Sequence, residues 1–515
     1  MESREPLAAA RRGQLPMPRA TPGFGTDQTD PGQAMTDKVT AERKAAGDLG
    51  EIGKLIGRTA PSPLGRLRLS RPGMNPISCA REDVRRCISR ARFRASDRST
   101  MRPGSHGGAS GRPLRGCMRI EKKILICGAG IAGPACAYWL HKYGYSVVVV
   151  EKAQTFRDGG QNVDIKGAGQ QVIKMMGLAE AIEAKDTLER GQKYLDAAGA
   201  VIAVFPKGAV GTLTSDFEIL RGDFARVLFE ATKGDCEYRF GTSVTNLDDS
   251  GAGMSVTFDD GRAEDFELVI CGEGMSSSTR AKVLAQETRF RYLGAYMAFF
   301  KIPRRPEDDN WAYSVNGVGG TFITLRPGNE KETTVLITFL RKDHDIEGDN
   351  SAARRDLLLK ALKGRGTVAD RITAELDMVQ DFYFGPMSQV RASAWSKGRF
   401  VLIGDAAYCP TPFTGAGTAL ALVGAYVLAG EIARGESYAE AFAAYERLVR
   451  PYVEASQDQL SPRFIRLLHA KTWFGISVTH LAQKFFSSGG VQKVLRPSAA
   501  KREKGVAEDF VFPQY

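Results

Sequence analysis

The sequence predicts an α/β fold, in which a parallel sheet, an antiparallel sheet and a set of C-terminal helices share one chain. Three observations predict it. A short apolar run at 123–127 leads through a glycine turn into a helical stretch ending near Tyr143, then into a second apolar run at 146–150, which is a β-α-β unit. A β-rich middle follows between Arg289 and Leu340, with strands at 296–302, 311–315, 321–325 and 334–340 separated by turns at 316–320 and 326–333. The chain then returns to α/β, with a strand at 399–403 and a long helix to about Arg434.

Between these landmarks, 221–233 reads as a helix with Leu228 and Phe229 among its apolar positions, and 255–258 with 266–271 reads as a hairpin re-entering the main sheet. Near the end, Phe474, Val478, Leu481 and Phe485 fall on one helical face, a stripe read here as core packing. No internal repeat is visible.

Composition is that of an ordinary soluble globular protein, 43% hydrophobic and 25% charged, and 515 residues suffice for two or three domains. The net charge of +12 is unevenly placed. Residues 1–117 hold 22 Lys/Arg against 11 Asp/Glu, so the remainder is close to neutral and the basic excess does not point to nucleic acid. This leader is rich in Arg, Gly, Pro, Ser and Ala and poor in aromatics, so it cannot bury enough apolar surface to offset its ordering entropy. It reads as a disordered extension or as a stretch upstream of a functional start at Met118. It lacks the apolar core of a secretory signal, and its Arg- and Ser-rich part at 81–98 sits too far inside the chain for a transit peptide. The eight cysteines show no CxxC pair and no ligand spacing with histidine, so neither a zinc site nor a disulfide framework is indicated, and a reducing cytoplasm fits. No apolar run reaches the roughly 18 residues of a membrane span.

The chemistry resides in motifs. Gly128-Ala129-Gly130-Ile131-Ala132-Gly133 is a GxGxxG lying directly between strand and helix. Gly128 permits the tight turn, Gly130 lets a pyrophosphate approach the backbone, and Gly133 lets helix and strand pack closely. The helix start at Ile131 and Ala132 turns unpaired N–H groups and a positive dipole end toward the phosphates. Glu151 ends the second strand, 18 residues after Gly133, where a carboxylate accepts hydrogen bonds from a ribose 2′-OH. This unit binds an adenine dinucleotide, FAD or NAD. A second motif decides for FAD. Gly404-Asp405-Ala406-Ala407 follows the strand at 399–403, then come Pro410, Pro412 and Gly415-Ala416-Gly417 before a helix. An Asp at the strand end can hold a ribityl hydroxyl, and the glycines bring the next helix start, with its positive end, close to a flat ring that carries negative charge when reduced.

Together with Glu267-Leu268-Val269-Ile270-Cys271-Gly272-Glu273-Gly274 and the following run to Arg280, these motifs resemble the single-component FAD-dependent aromatic hydroxylases, nearest the para-hydroxybenzoate hydroxylase and tetracycline-degrading monooxygenase groups. The resemblance covers Met118 to about Arg450. Residues 159–167 and Arg221-Gly222-Asp223 look like the tetracycline branch. The resemblance implies that Asp164 and Arg221 contact the flavin, that Glu273 takes part in FAD and nicotinamide handling, and that Arg157 and Arg280 meet NADPH or NADH. It also implies a Rossmann-type FAD-binding sheet at 118–285 and 386–450, a substrate-binding β-sheet domain at 286–385 and a helical region at 451–515. The implied reaction is reduction of FAD by NAD(P)H, addition of O₂ at C4a, and oxygen transfer from the hydroperoxyflavin to a small, aromatic or polycyclic substrate, by hydroxylation or epoxidation. No side chain need act as a nucleophile. The chain departs from the family pattern at Glu273, where Asp is usual, at Tyr408, where His is frequent, and at Gly424, a position often acidic.

Tyr296, Phe299, Phe300, Tyr313 and Phe322 are candidate pocket lining, of which alternation sends about half to the other face of the sheet. The five histidines form no triad or metal pattern, and Cys409 reads as a small hydrophobe. The absence of a second strand-GxGxxG-helix unit argues against a dedicated nicotinamide domain, and no WxWxIP surrounds the tryptophans, which argues against a halogenase. The remaining alternatives are a flavin-dependent reductase or dehydrogenase of the same fold without oxygen insertion, and a non-catalytic flavin sensor. The expected partners are a small-molecule substrate, with no nucleic acid and no membrane, in a cytoplasmic monomer or homodimer.

Overall fold

The computed structural model describes residues 122–156, 160–209, 217–342, 351–380, 382–493 and 510–515. The chain divides into two units, Met1–Arg112 and Pro113–Tyr515, and all described residues belong to the second. The leader and Arg157 therefore lie outside the described residues.

The first half of the fold is built around β1 (Lys123–Cys127), α1 (Ala132–Lys142) and β2 (Ser146–Glu151). A two-stranded ribbon, β3 (Asn162–Ile165) with the later β6 (Phe217–Leu220), brackets α2 (Ala168–Met176), α3 (Ala179–Glu183) and the hairpin β4 (Gly191–Leu195) and β5 (Val201–Pro206). Next come α4 (Arg221–Glu230), β7 (Glu237–Phe240), the meander β8 (Val244–Asp249), β9 (Met254–Phe258) and β10 (Ala263–Phe266), then β11 (Leu268–Cys271) and α5 (Ser278–Val283). The second half holds β12 (Thr288–Pro303), β13 (Ala312–Gly317), β14 (Thr321–Pro327) and β15 (Glu332–Leu340), covered by α6 (Ser351–Leu362) and α7 (Thr367–Glu375). It closes with β16 (Tyr383–Ala392), β17 (Ser396–Lys397), β18 (Phe400–Leu402), α8 (Asp405–Tyr408), α9 (Gly417–Arg434), α10 (Tyr438–Asp458), α11 (Pro462–Leu468) and α12 (Trp473–Ser487).

The first sheet has the order β17-β18-β11-β1-β2-β7 and is parallel except for the β17–β18 pair. Its central strands are apolar on both faces because helices cover both, and Ile124 to Cys127 and Leu268 to Cys271 are wholly buried. The seven-stranded sheet runs β16-β12-β15-β14-β13-β4-β5 and is antiparallel apart from the β13–β4 pair. It reaches well outside residues 286–385. The β4–β5 hairpin, which sequence reading left in the cofactor-binding part, forms one edge, and the second half of β16 lies beyond 385. Strand pairing sets this boundary, and a hairpin can supply an edge from anywhere in the chain.

Alternation along these strands sorts the candidate aromatics. Tyr296 and Phe300 enter the core beneath α6 and α7, with Tyr313 packed beside it, whereas Phe322, adjacent to the inward Ile323, lies on the opposite face. Helix α9 is long and apolar enough to cross a membrane, contrary to the expectation from its sequence, but 83% of it is buried within the protein against α1, α2 and α10.

Two departures from the family pattern explain each other. A Cβ at Gly424 on α9 would sit 2.0 Å from the phenol oxygen of Tyr408 on α8. Tyr445 donates to the Leu402 carbonyl (3.2 Å), so Tyr408 donates to Tyr445 (3.0 Å), and Trp395 packs against both rings. The large phenol stands where only glycine leaves room. Gly424→Ala should therefore cost about 1–3 kcal/mol by overpacking. Tyr408→Phe, which removes the obstructing oxygen, should cost about 0.5–1.5 kcal/mol alone. The double variant should be less destabilised in denaturant titrations than the sum of the singles, because the clash is gone. Strict additivity would dissociate the two residues.

Candidate active site

Three loops from distant parts of the chain meet at the carboxyl ends of β1, β11 and β18. Gly128, at φ 105°, turns the chain so tightly against the second loop that a Cβ there would lie 2.7 Å from the Gly272 carbonyl oxygen. At Gly133 a Cβ would lie 1.9 Å from the Gly128 oxygen, so helix α1 cannot approach β1 with any side chain there. Gly404, at φ 62°, presses against Ala132 at the start of α1. Gly130 differs: a Cβ there would meet only a guanidinium nitrogen of Arg221, at 3.4 Å, so open space above its backbone is bounded by a cation. Ile131 precedes α1 without a side-chain cap, and the first turn carries no acid, which leaves the N-terminal N–H groups turned toward that space. Glu151 accepts from the N–H of Ala129 and of Ala153, both at 3.0 Å, and so places its carboxylate at the glycine turn.

Asp405 opens α8 immediately after Gly404. It lies deep in the protein and yet has an exposed surface, the mark of a group facing an internal cleft. Burial pushes its carboxyl above the usual carboxylate range, while Arg221 and the Cys409 thiol draw it back down. Gly417 brings the start of α9 over it, with the Cβ position 3.8 Å from the Asp405 Oδ1. The loop between them is strained. Thr411 is a buried β-branched residue at φ 83°, a conformation that costs on the order of 1–3 kcal/mol. Its hydroxyl has no protein partner. Pro412 then starts a single 3₁₀ turn that Gly415 ends at φ 64°.

Not every candidate faces this cleft freely. Arg280 is only 3% exposed; it donates to the carbonyls of Ala406 (3.0 Å), Met275 (2.7 Å) and Gly274 (3.5 Å). It ties the second loop to the third. Glu273 accepts from Ser277 Oγ (2.6 Å) and from the Thr279 N–H and hydroxyl (3.1 and 2.7 Å), which anchors the start of α5. The Cys409 thiol is buried and held far above its ordinary pKa by desolvation, so it stays protonated.

Asp164 belongs to a cluster that sequence reading missed. It faces Glu218 across the β3–β6 ribbon, and Arg326 reaches over from β14 to both, at 3.7 Å and 2.9 Å, and to Glu189 at 2.8 Å. Asn162 adds bonds from the ribbon to Glu218 and to the Pro327 carbonyl, and Thr334 donates to it. The ribbon that leads into Arg221 is thus fastened to the seven-stranded sheet. His469, also unpromising in the sequence, is 1% exposed between Phe322 of the sheet and Phe413 of the strained loop. Its Nδ1 donates to the Ile465 carbonyl, since a carbonyl can only accept, which leaves Nε2 to accept from Thr338 at 2.7 Å.

Residues 121–459 match the model of the FAD-binding domain family. A flavin-dependent monooxygenase from an unknown prokaryotic organism is 35% identical over 340 residues, 65% of this chain and 87% of that protein. The chain belongs to this FAD-binding monooxygenase family. The tetracycline destructase Tet(51) superposes on the monooxygenase with a TM-score of 0.63 at 32% identity, over 77% of this chain and all of the other. Klebsiella pneumoniae HpxO, in complex with FAD and uric acid, shares the fold at 20% identity, with a TM-score of 0.59 over 75% of this chain and 96% of its own. The monooxygenase is thus an FAD-dependent oxidoreductase, and its cleft fits that cofactor. The open backbone at Gly130, the exposed surface of Asp405 and the unpartnered Thr411 hydroxyl leave polar groups of this site for a cofactor to meet.

Asp405→Ala should weaken FAD binding by about 1.5–3 kcal/mol, the worth of a charge-assisted hydrogen bond. Gly130→Val should be worse because it also displaces Arg221. Flavin absorbance of the purified variants measures both, and full occupancy in each would remove the cleft from consideration.

A second expectation concerns Glu218. Burial, only partly offset by Arg326, pushes its pKa up to about 7. The fold therefore holds this proton more tightly than the unfolded chain, so its contribution to stability is full at acid pH and is lost as pH rises through about 7. Glu218→Gln should match the parent in melting temperature near pH 5 and exceed it near pH 8. Parallel profiles would show that Glu218 is already ionised at acid pH.

Proposed function

We propose that the monooxygenase oxidises NADPH or NADH and inserts one atom of O₂ into a small aromatic or polycyclic substrate held between the cofactor and the seven-stranded sheet. The observation that carries this reading is the deep, open cleft at Asp405, walled by the 411–417 loop and adjoining, through Phe413 and His469, the sheet face that bears Phe322 and Thr338. FAD, when bound, supplies the redox and oxygen-activating chemistry.

The residues position and shield. Gly130 and the first turn of α1 receive the pyrophosphate, with Arg221 as counter-charge. Glu151 would hold the adenosine ribose, and Asp405 the ribityl chain. Pro412, Gly415 and Gly417 lead into the uncapped start of α9, whose positive end would favour negative charge on a bound flavin. Asp164 acts at one remove: through Arg326 it keeps the ribbon, and hence Arg221, at a fixed distance from the substrate wall. Phe322 and Phe413 keep water from the reacting centre. Ring substrates are supported by the relatives, one a tetracycline destructase and one binding uric acid. Among the described residues the thiols of Cys127, Cys136, Cys236, Cys271 and Cys409 are buried and free, which suits a reducing compartment such as the cytoplasm.

The single dinucleotide fold leaves NAD(P)H to dock transiently, so substrate should control reduction. In anaerobic stopped-flow, NAD(P)H alone should bleach the flavin slowly, and a true substrate should accelerate bleaching strongly. With ¹⁸O₂ one labelled atom should enter the product. Label drawn from water, or turnover unchanged without oxygen, would refute the oxygen-transfer step.

A further inference from the structure

The stripe on α12 is not core. Trp473 is 78% exposed, Phe474 57%, Leu481 69% and Phe485 60%, while the helix rests on edge strand β5 through the opposite face, where Ile476 is buried. Surface helices of globular proteins normally show the reverse arrangement. The surrounding charge is equally one-sided. Residues 462–493 hold five Lys/Arg and no Asp/Glu, and Arg463, Arg466, Lys471, Lys484 and Lys493 are all exposed. Lys484 shares the outward face with Leu481 and Phe485. Asp196 acts electrostatically on His480, which is partly buried rather than among the outward aromatics.

We propose that α12 docks this enzyme on the surface of an anionic phospholipid bilayer, in departure from the absence of a membrane partner expected from the sequence. The helix lies in the interface plane, with Trp473, Phe474, Leu481 and Phe485 sinking about 5–10 Å to the acyl boundary and the cations pairing with phosphate headgroups. Aromatic and leucine side chains on one face, lysine and arginine around them, and no acid describe such a surface-lying helix. Charge also decides against a second copy of the chain, since self-pairing through this face would set like cations against each other. The segment before α12 is tied to the seven-stranded sheet. The Lys471 carbonyl accepts from the Gly319 N–H at 2.9 Å, and His469, two residues earlier, bridges Thr338 of the sheet and Phe413 of the strained loop.

The test is co-sedimentation of the full-length, flavin-loaded enzyme with vesicles of phosphatidylcholine alone and of phosphatidylcholine mixed with phosphatidylglycerol. The parent should bind the anionic vesicles, less so in high salt, and F474S/L481S/F485S should bind them at least about tenfold more weakly while keeping its flavin absorbance. Brominated lipid should quench the tryptophan fluorescence, and Trp473→Phe should remove most of that quenching, because Trp139 and Trp395 are buried and Trp311 is half-buried beneath Arg190 and Lys193. Binding undiminished in the triple variant would assign it to the basic residues of 1–117 and overturn the proposal. So would equal binding to neutral vesicles, or no binding at low salt. Self-association in sedimentation velocity that the same substitutions abolish, without vesicle binding, would make this face an interface between copies.

Discussion

Everything in the site depends on the close backbone approach of three loops at the carboxyl ends of β1, β11 and β18. Gly128 against Gly272, Gly133 against Gly128, and Gly404 against Ala132 are contacts that a single methyl group would break. Parallel strands bring their carboxyl ends to the same edge, so residues far apart in sequence can build one concave wall there. The result is a cleft with backbone N–H groups at one end and a carboxylate at the other. Arg280 then ties the second and third loops through backbone carbonyls, which fixes the wall without spending a charged partner.

The β3–β6 ribbon must also be held at a constant separation from the seven-stranded sheet, and that task falls to Arg326. One buried guanidinium gathers Asp164, Glu189 and Glu218 from three elements on the cofactor side of the chain. Burial above all, with Glu189 and Asp164 as like charges and Arg326 opposing them, pushes the Glu218 pKa up to about 7, and one of its buried oxygens has no partner. Such a cluster is a poor source of net stability and a strong source of geometric definition, because any shift of the ribbon leaves a buried charge uncompensated. It fixes how far Arg221, at the ribbon's end, stands from the seven-stranded sheet.

The parts legible in the sequence were those governed by local rules. A glycine needed for a turn announces itself between a strand and a helix, so the Gly128–Gly133 and Gly404–Gly417 loops and the β-rich middle could be read directly. What escaped was set by pairing over long distances. Nothing near Arg326 in sequence signals carboxylates at 164, 189 and 218, and nothing in the β4–β5 hairpin signals that it edges the substrate sheet. The motif around Arg280 gives residue type but not the direction of the side chain, which turns to the Ala406 and Met275 carbonyls. Tyr408 and Gly424, read separately as two departures, are one change: a large phenol and the space that receives it.

The α12 stripe shows the same limit from the other side. A 3.6-residue apolar period establishes that a helix has an apolar face, but it is silent on whether protein, lipid or water lies against that face. Burial answers one half of the question, since Phe474, Leu481 and Phe485 turn outward while Ile476 turns in. Charge answers the other half, because a core-facing helix has no need to exclude acids from its flanks, whereas a helix facing phosphates does. The segment that carries this face is short and stiffly attached. His469 is locked between Thr338 and the Ile465 carbonyl, and its ring lies beside Phe322 and Phe413. Between that lock and the first outward aromatic, Trp473, stand only three residues, so a force on the helix has little slack chain to absorb it before it reaches the cofactor loop.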